Sequence, residues 1–204
     1  DNSIQDIYTT LQNAAILTKH GGGVGFNFSY LSQEGRPLDS GIGVASGPLP
    51  FIRLFNESGK AVSQGGRRRG AFLATLDITH PDIEKFIHVK DTDGELSYFN
   101  ISVLVTDEFM KAVKESRPWS LIDPVTKVEV RRLESAKNLW QQIIHLAWLR
   151  GDPGLLFFNA MNRDAFIADQ DIIGTNPCLV GETLVAVADG REAVSIKQLA
   201  EEGK

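Results

Sequence analysis

Helical and strand-like segments alternate along residues 1–160, and this alternation limits the folds open to the chain. Apolar residues recur every three or four positions in three segments, for which we predict helices: 4–15, 51–62 and 139–148. Short apolar segments between them predict strands at 24–30, 71–76, 98–105 and 154–158. Near-continuous apolar strands separated by helices are typical of a parallel sheet covered by helices. The pattern predicts an α/β fold, either a barrel or an open layered sheet.

The composition excludes several classes of protein. The chain is 42% hydrophobic and 23% charged, as in soluble globular proteins, and its net charge of −5 gives no case for nucleic-acid or membrane binding. No apolar segment approaches the roughly 20 residues that cross a bilayer, and no signal peptide opens the chain. The single cysteine cannot form an internal disulfide, so we expect a cytoplasmic protein. The histidines lack metal-ligand spacing, so no metal site is predicted.

The sequence changes character after Cys178. We predict a short strand at 183–188, a turn at Asp189-Gly190 and a short helix capped by Ser195. This piece is too small to bury a core of its own. It is interpreted as the start of a second domain or as an appendage.

A glycine-rich segment follows the first predicted helix and contains Gly21, Gly22, Gly23 and Gly25. Glycine lets the backbone come unusually close to a neighbour or a ligand. Glycine after a helix more often only terminates that helix. Both interpretations stay open at this point.

A second glycine-rich segment carries three consecutive arginines: Gly65, Gly66, Arg67, Arg68, Arg69 and Gly70. Guanidinium groups are bidentate donors suited to phosphate or carboxylate. The alternative is a solvated run of charge. Nucleic-acid binding is not favoured, because the basic cluster is isolated in an acidic chain without aromatic neighbours.

Seven segments, in order, resemble ribonucleotide reductases of the adenosylcobalamin-dependent class. They are His20–Ser29, Gly43–Pro48, Gln64–Ala71, His80–Ile83, Phe99–Val103, Gly151–Gly154 and Thr175–Cys178. The resemblance implies that residues 1–177 form the first half of a ten-stranded α/β barrel.

The resemblance also implies an allosteric apparatus. Residues 32–42 correspond to the first effector loop and 64–71 to the second, so Arg67–Arg69 and their flanking glycines would couple the effector to the substrate. Ser32 stands where the family has an arginine after the first strand, and Arg36 is the candidate replacement. Ser46 is expected near the substrate.

The family's catalytic pattern is Asn-x-Cys-x-Glu, in which the cysteine forms a thiyl radical and the glutamate is the general base. Asn176 and Cys178 fit this pattern, but position 180 is valine and the nearest carboxylate is Glu182. A shift of two residues moves a carboxylate by about 6 Å, out of hydrogen-bonding reach of the same hydroxyl. The reductase site is incomplete as written.

Residues 178–204 resemble the N-terminal block of an intein, which would be a short, mostly β start of a Hint-type domain. In that interpretation Cys178 is the splicing nucleophile, which attacks the carbonyl of Pro177. A downstream cysteine would take its place as the radical cysteine after splicing. The alternative is that 179–204 is a divergent stretch of the reductase.

The intact enzyme would bind adenosylcobalamin, a ribonucleotide substrate, and deoxynucleotide or ATP effectors. A thioredoxin-like reductant and a homodimer are also implied, whereas this fragment alone is expected to be inactive. Two alternatives remain: a catalytically inactive nucleotide-binding regulatory module, and one half of a split-intein precursor. The sequence does not distinguish diphosphate from triphosphate substrates.

Overall fold

The computed structural model describes residues 2–20, 22–39, 41–63, 71–92, 94–163, 165, 171–175, 184–186 and 193–202. Its helices are α1 (Ile4–Lys19), α2 (Pro48–Ser63), α3 (Ile83–Ile87), α4 (Asp107–Lys114), α5 (Ala136–Arg150), α6 (Phe158–Arg163) and α7 (Ile196–Glu201). Its strands are β1 (Val24–Asn27), β2 (Phe72–Asp77), β3 (Phe99–Val105), β4 (Trp119–Ile122), β5 (Glu129–Leu133), β6 (Gly154–Phe157), β7 (Leu184–Ala186) and β8 (Ala193–Ser195).

Four strands form one parallel sheet in the order β1-β2-β3-β6. Helices precede and follow these strands, as the alternation in the sequence predicts. The α/β fold with a parallel sheet is confirmed. Closure of the sheet into a ten-stranded barrel stays a prediction.

One face of the sheet is almost entirely apolar and packs against the helices. Its buried residues are Phe26, Phe72, Ala74, Leu76, Phe99, Ile101, Val103 and Val105. Phe26 makes edge-to-face contacts with Phe55 of α2 at 5.0 Å and with Phe72 at 5.3 Å, measured between ring centroids. Aromatic pairs in this arrangement add to the stabilisation that burial provides. The core lies on this side of the sheet.

The opposite face is built differently. Residues paired across parallel strands share a face, and one such row consists of Asn27, Thr75, Ser102 and Gly154. Gly25 lies on the same face of β1 and Asp77 on the same face of β2. Leu73 and Leu104 are buried on the same face. The small and polar side chains of the row leave room for another segment of the chain, and this face is called the polar face below.

Local signals in the sequence fix several helix ends. The Ser3, Thr106 and Ser135 side chains each accept a hydrogen bond from the backbone N–H three residues later, at the start of α1, α4 and α5. Gly151 ends α5 in the left-handed conformation, with φ of 77°.

Two features differ from the sequence-based expectation. The strand predicted over 24–30 ends at Asn27, because the Asn27 side chain accepts a hydrogen bond from Ser29 N at 2.9 Å and turns the chain. The antiparallel hairpin of β4 and β5 was not predicted, because nearly all of β5 is exposed and lacks apolar alternation.

The last described residues form an antiparallel pair, β7 and β8, followed by α7. Gln198 N donates to the Ser195 side chain at 3.2 Å, so the predicted cap at Ser195 is confirmed. The predicted turn at Asp189-Gly190 lies outside the described residues. Among the described residues no helix is long and apolar enough to cross a membrane.

Candidate active site

The residues that follow the two glycine-rich segments lie side by side at the end of the sheet where its strands begin. Val24 directly follows Gly21–Gly23, and Ala71 directly follows residues 64–70. Val24 N donates to the carbonyl oxygen of Ala71 at 3.0 Å. Val24 and Ala71 are therefore neighbours at the amino ends of β1 and β2.

Residues 171–175 lie on the polar face of the sheet. Asn27 Nδ2 donates to the carbonyl oxygen of Ile173 at 3.0 Å. A Cβ built on Gly25 would lie only 1.9 Å from the carbonyl oxygen of Thr175, so no side chain fits at that position. The segment thus runs opposite to β1, from Asn27 toward Gly25, and ends immediately before Asn176.

A second asparagine fixes the start of this segment. Asn162 of α6 accepts from Ile172 N at 2.6 Å and donates to the carbonyl oxygen of Ile172 at 3.1 Å. Asn162 Nδ2 also lies 3.0 Å from the carbonyl oxygen of Phe158, within its own helix. This amide satisfies both polar backbone groups of Ile172, as a neighbouring strand would.

A cavity of about 360 Å³ opens at the other end of the sheet, where the strands finish. Its lining includes Asn27, Asp77, His80, Asp123 and Asp171. The segment 171–175 leaves this cavity as it passes onto the face of the sheet. Among the described residues, no group of His, Cys, Asp or Glu is arranged to hold a metal ion.

His80 is buried beside this cavity, with 1% of its surface exposed. Asp82 N donates to Nδ1 at 3.0 Å, so the proton of the neutral ring is on Nε2, which lies 3.0 Å from the carbonyl oxygen of Leu31. Burial lowers the pKa of His80, although Asp82, Asp77 and Asp123 oppose that shift. The neutral ring ties the start of α3 to the turn after β1.

The predicted first effector loop is closed by its own backbone. Gly35 N donates to Ala45 O at 2.9 Å, and Leu38 N donates to Gly43 O at 3.2 Å. The Arg36 guanidinium lies 3.2 Å from Asp39 and 3.3 Å from Asp123. This arginine is held within the protein and has only 14% of its side chain exposed.

Asn2 fastens the beginning of that loop. Asn2 Nδ2 donates to Ser32 Oγ at 2.8 Å, and Ser32 N donates to Asn2 Oδ1 at 2.9 Å. Asn2, Ser32 and Ser46 line one pocket of about 210 Å³, whose lining does not include Arg36. The structure thus brings Ser46 close to the chain start, whereas the Arg36 side chain turns to Asp39 and Asp123.

A family model described as "Ribonucleotide reductase, barrel domain" matches residues 1–184. The chain belongs to the ribonucleotide reductase barrel-domain family.

Several curated reductases are similar to this barrel-domain chain. Two vitamin B12-dependent ribonucleoside-diphosphate reductases are each 43% identical to it, one from Thermoplasma acidophilum over 179 residues and one from Mycobacterium tuberculosis over 180. The ribonucleoside-diphosphate reductase large chain 2 of Saccharomyces cerevisiae is 30% identical over 200 residues. These alignments cover 86–87% of this chain but only 23–26% of the relatives. The chain spans about a quarter of their length.

Most of the residues predicted for the reductase site lie outside the described residues: Gly21, Gly65, Gly66, Arg67, Arg68, Arg69, Gly70, Asn176 and Cys178. Of the remaining glycines, Gly22 serves the end of α1, since its N–H donates to Leu17 O at 3.1 Å. Gly25, by contrast, lies at a close approach of two backbone segments. The two interpretations of this glycine-rich segment therefore apply to different glycines.

Sequence reasoning did not identify Asn27 and Asn162. Each bonds through its amide to the backbone of residues 172–173, and for Asn27 that partner is 146 positions away. No periodicity marks such a contact. The only local signal is an asparagine at the end of a predicted strand, where a turn is the simpler interpretation.

Proposed function

We propose that this chain is the amino-terminal part of the catalytic barrel of an adenosylcobalamin-dependent ribonucleotide reductase. The intact enzyme reduces ribonucleotides to deoxyribonucleotides by thiyl-radical chemistry. The relatives that are 43% identical are named ribonucleoside-diphosphate reductases, which favours diphosphate substrates. This chain supplies one cysteine and does not reduce a substrate alone.

One observation carries the proposal beyond family membership. Thr175, the residue before Asn176, lies against Gly25, while Val24 is hydrogen-bonded to Ala71. Thr175, Val24 and Ala71 thus lie at one end of the sheet. Thr175 leads to the Asn-x-Cys pattern, and Val24 and Ala71 follow the two glycine-rich segments. A substrate bound there would meet a radical cysteine and the Arg67–Arg69 loop together, as an allosterically controlled reductase requires.

Binding of adenosylcobalamin is proposed for the intact enzyme. The cavities of about 360 and 210 Å³ described above are far smaller than a corrinoid with its nucleotide arm. The described residues thus do not themselves form a corrinoid site. Adenosylcobalamin would supply the radical that oxidises the active-site thiol, while this chain positions the segment that leads to the cysteine.

We further propose that residues 1–177 belong to the reductase and that residues 178–204 begin an intein. The alignments with two curated relatives cover 87% of 204 residues, or about 177, which equals the length of the proposed reductase part. The family model extends to residue 184, seven positions further. Cys178 would then be the splicing nucleophile, and Val180 would not belong to the reductase site.

The intact enzyme would act as a homodimer. Ile4 and Tyr8 lie one turn apart on α1 and are 62% and 53% exposed, and Leu38 and Val44 of the adjoining loop are 41% and 62% exposed. Ile4, Leu38 and Val44 line a common pocket. An apolar surface of this kind is typical of a protein interface, and it borders the loop proposed to bind the effector.

The full-length protein tests these proposals directly. We expect reduction of a ribonucleoside diphosphate that requires adenosylcobalamin and a dithiol reductant such as thioredoxin, together with a change in substrate preference when deoxynucleotides are added. Arg68→Ala should weaken the effector response more than basal turnover. Nucleotide binding without turnover in the spliced protein would favour the regulatory module instead.

A further inference from the structure

The segment Asp171–Thr175 is held on the sheet by three residues that belong to two elements, α6 and β1. Asn162 of α6 bonds both backbone groups of Ile172, Asn27 of β1 bonds the carbonyl of Ile173, and Gly25 of β1 receives the peptide of Thr175. Ile172, Ile173 and Thr175 thus each meet a defined neighbour.

The Asn27 amide has a fixed orientation. Its Oδ1 accepts from Ser29 N at 2.9 Å, while its Nδ2 donates to Ile173 O at 3.0 Å. Because the two ends of the amide serve opposite roles, a flipped side chain would lose both bonds. The turn that ends β1 therefore also determines where Ile173 lies.

Because Gly25 has no side chain, the Thr175 peptide can pack directly against its backbone. The carbonyl carbon and oxygen of Thr175 lie 2.8 and 1.9 Å from the position that a Cβ would take. Such distances are far below van der Waals contact, so any larger residue would push the Thr175 peptide off the sheet.

We propose that Asn27, Asn162 and Gly25 are positioning residues for the reaction: they hold Ile172–Thr175 on the polar face, so that Asn176 and the radical cysteine that occupies position 178 after splicing reach the substrate. This inference rests on the proposed reductase function. Within the part of the chain that the structure describes, their contacts to this segment are with the backbone of Ile172, Ile173 and Thr175. Their effect is on the turnover number, because a displacement of about 1 Å in a reacting group costs up to about 100-fold in rate.

Asn27→Asp separates the two roles of the amide. The aspartate keeps an oxygen for Ser29 N, and so keeps the turn, but it loses the donor to Ile173 O and faces that carbonyl with a negative charge. Asn100→Asp makes the same chemical change at an exposed position of β3 and is the matched control. Gly25→Ala is the second variant. Its control is Gly154→Ala on β6, where the new Cβ would come within 3.4 Å of only the rotatable Ser102 hydroxyl, at 2.7 Å.

The experiment uses the full-length protein and has two readouts. Hydrogen exchange followed by mass spectrometry reports on the Ile172 N–H, which donates to Asn162. It should be about 5-fold faster in Asn27→Asp, because loss of the bond at Ile173 O lets the segment open more often, and unchanged in Asn100→Asp. The kcat for ribonucleotide reduction should fall about 10- to 100-fold in Asn27→Asp and Gly25→Ala, with KM within about 2-fold of wild type.

Unchanged exchange in Asn27→Asp would show that Asn27 does not hold residues 172–175. Faster exchange with an unchanged kcat would overturn the positioning role of Asn27, because the segment would then be held without affecting the reaction. A wild-type protein without reductase activity would instead overturn the proposed function, and the exchange comparison would still decide whether Asn27 holds the segment.

Discussion

Arg36 and Asp123 form a buried ion pair that joins the loop after β1 to the turn between β4 and β5. Arg36 Nε lies 3.3 Å from Asp123 Oδ2, and the two side chains are 14% and 6% exposed. The N–H groups of Val125 and Thr126 donate to the other oxygen of Asp123, and Gln33 Nε2 donates to Oδ2 at 3.1 Å. Burial alone would raise the pKa of Asp123, but these donors and Arg36 outweigh it and lower the pKa.

Asp123→Asn should destabilise the protein by about 3 kcal/mol, because it leaves the Arg36 charge without its buried partner. Urea unfolding measures this loss. Asp39→Asn is the control: Asp39 bonds the same guanidinium but its side chain is 86% exposed, so little change is expected. Equal effects of the two substitutions would contradict a special role for the buried pair.

His80 should make the folded protein sensitive to mild acid. Its pKa is lowered by burial, so at a pH just below 6.5 the unfolded chain binds a proton on this histidine that the folded chain does not. Stability should then fall as pH drops from 6.5 toward the folded pKa. Urea midpoints measured between pH 5 and 7.5 test this, and His80→Gln should flatten the dependence. An identical pH slope in the variant would assign the acid sensitivity to other groups.

Gly151–Gly154 is one of the seven segments that resemble ribonucleotide reductases, and it contains a residue whose contribution to stability can be measured. Asp152 accepts from Lys90 Nζ at 2.6 Å and from Ile101 N at 3.3 Å, with both charged side chains less than 20% exposed. Asp152→Ala should cost about 1–3 kcal/mol, because Ile101 N and the Lys90 ammonium lose their acceptor. Glu34→Ala, which breaks the exposed pair with Lys85, should cost much less.

Cys178 gives a direct test of the intein boundary. In the full-length product, Cys178→Ala should abolish splicing and leave a precursor of undiminished mass, because no nucleophile remains to attack the Pro177 carbonyl. Cys178→Ser retains a weaker nucleophile and should splice slowly or stop at the acyl shift. Intact mass spectrometry distinguishes these products. A ligated, shortened product in Cys178→Ala would overturn the assignment of the splicing nucleophile.

Local periodicity was sufficient to predict the main helices and the parallel strands. Their apolar residues face a common core, so these residues recur at the spacing of a helix or a strand. The hairpin of β4 and β5 was missed for the opposite reason, since most of β5 faces solvent and need not alternate. The short strand β1 was overextended because Phe28 is also buried, although it lies beyond the turn at Asn27.

The candidate site was less accessible from sequence than the fold. Motifs pointed to the glycine-rich segments and to Asn176 and Cys178, but the residues that hold 171–175 left no pattern. Hydrogen bonds from Asn27 and Asn162 to backbone depend on how distant segments pack, which no window of neighbouring residues contains. Gly25 was noticed as a glycine, yet the neighbour that requires it became evident only from the fold.

The residues that stabilise the fold lie on the apolar face of the sheet, and the residues of the sheet that hold 171–175, Asn27 and Gly25, lie on the polar face. Burial of Phe26, Phe72 and Phe99 against the helices stabilises the strands whatever lies on the other side. Substitutions at polar positions of the opposite face that do not contact residues 171–175 should therefore carry little penalty to folding. An insertion beyond Thr175, such as the proposed intein, would then leave the apolar core intact.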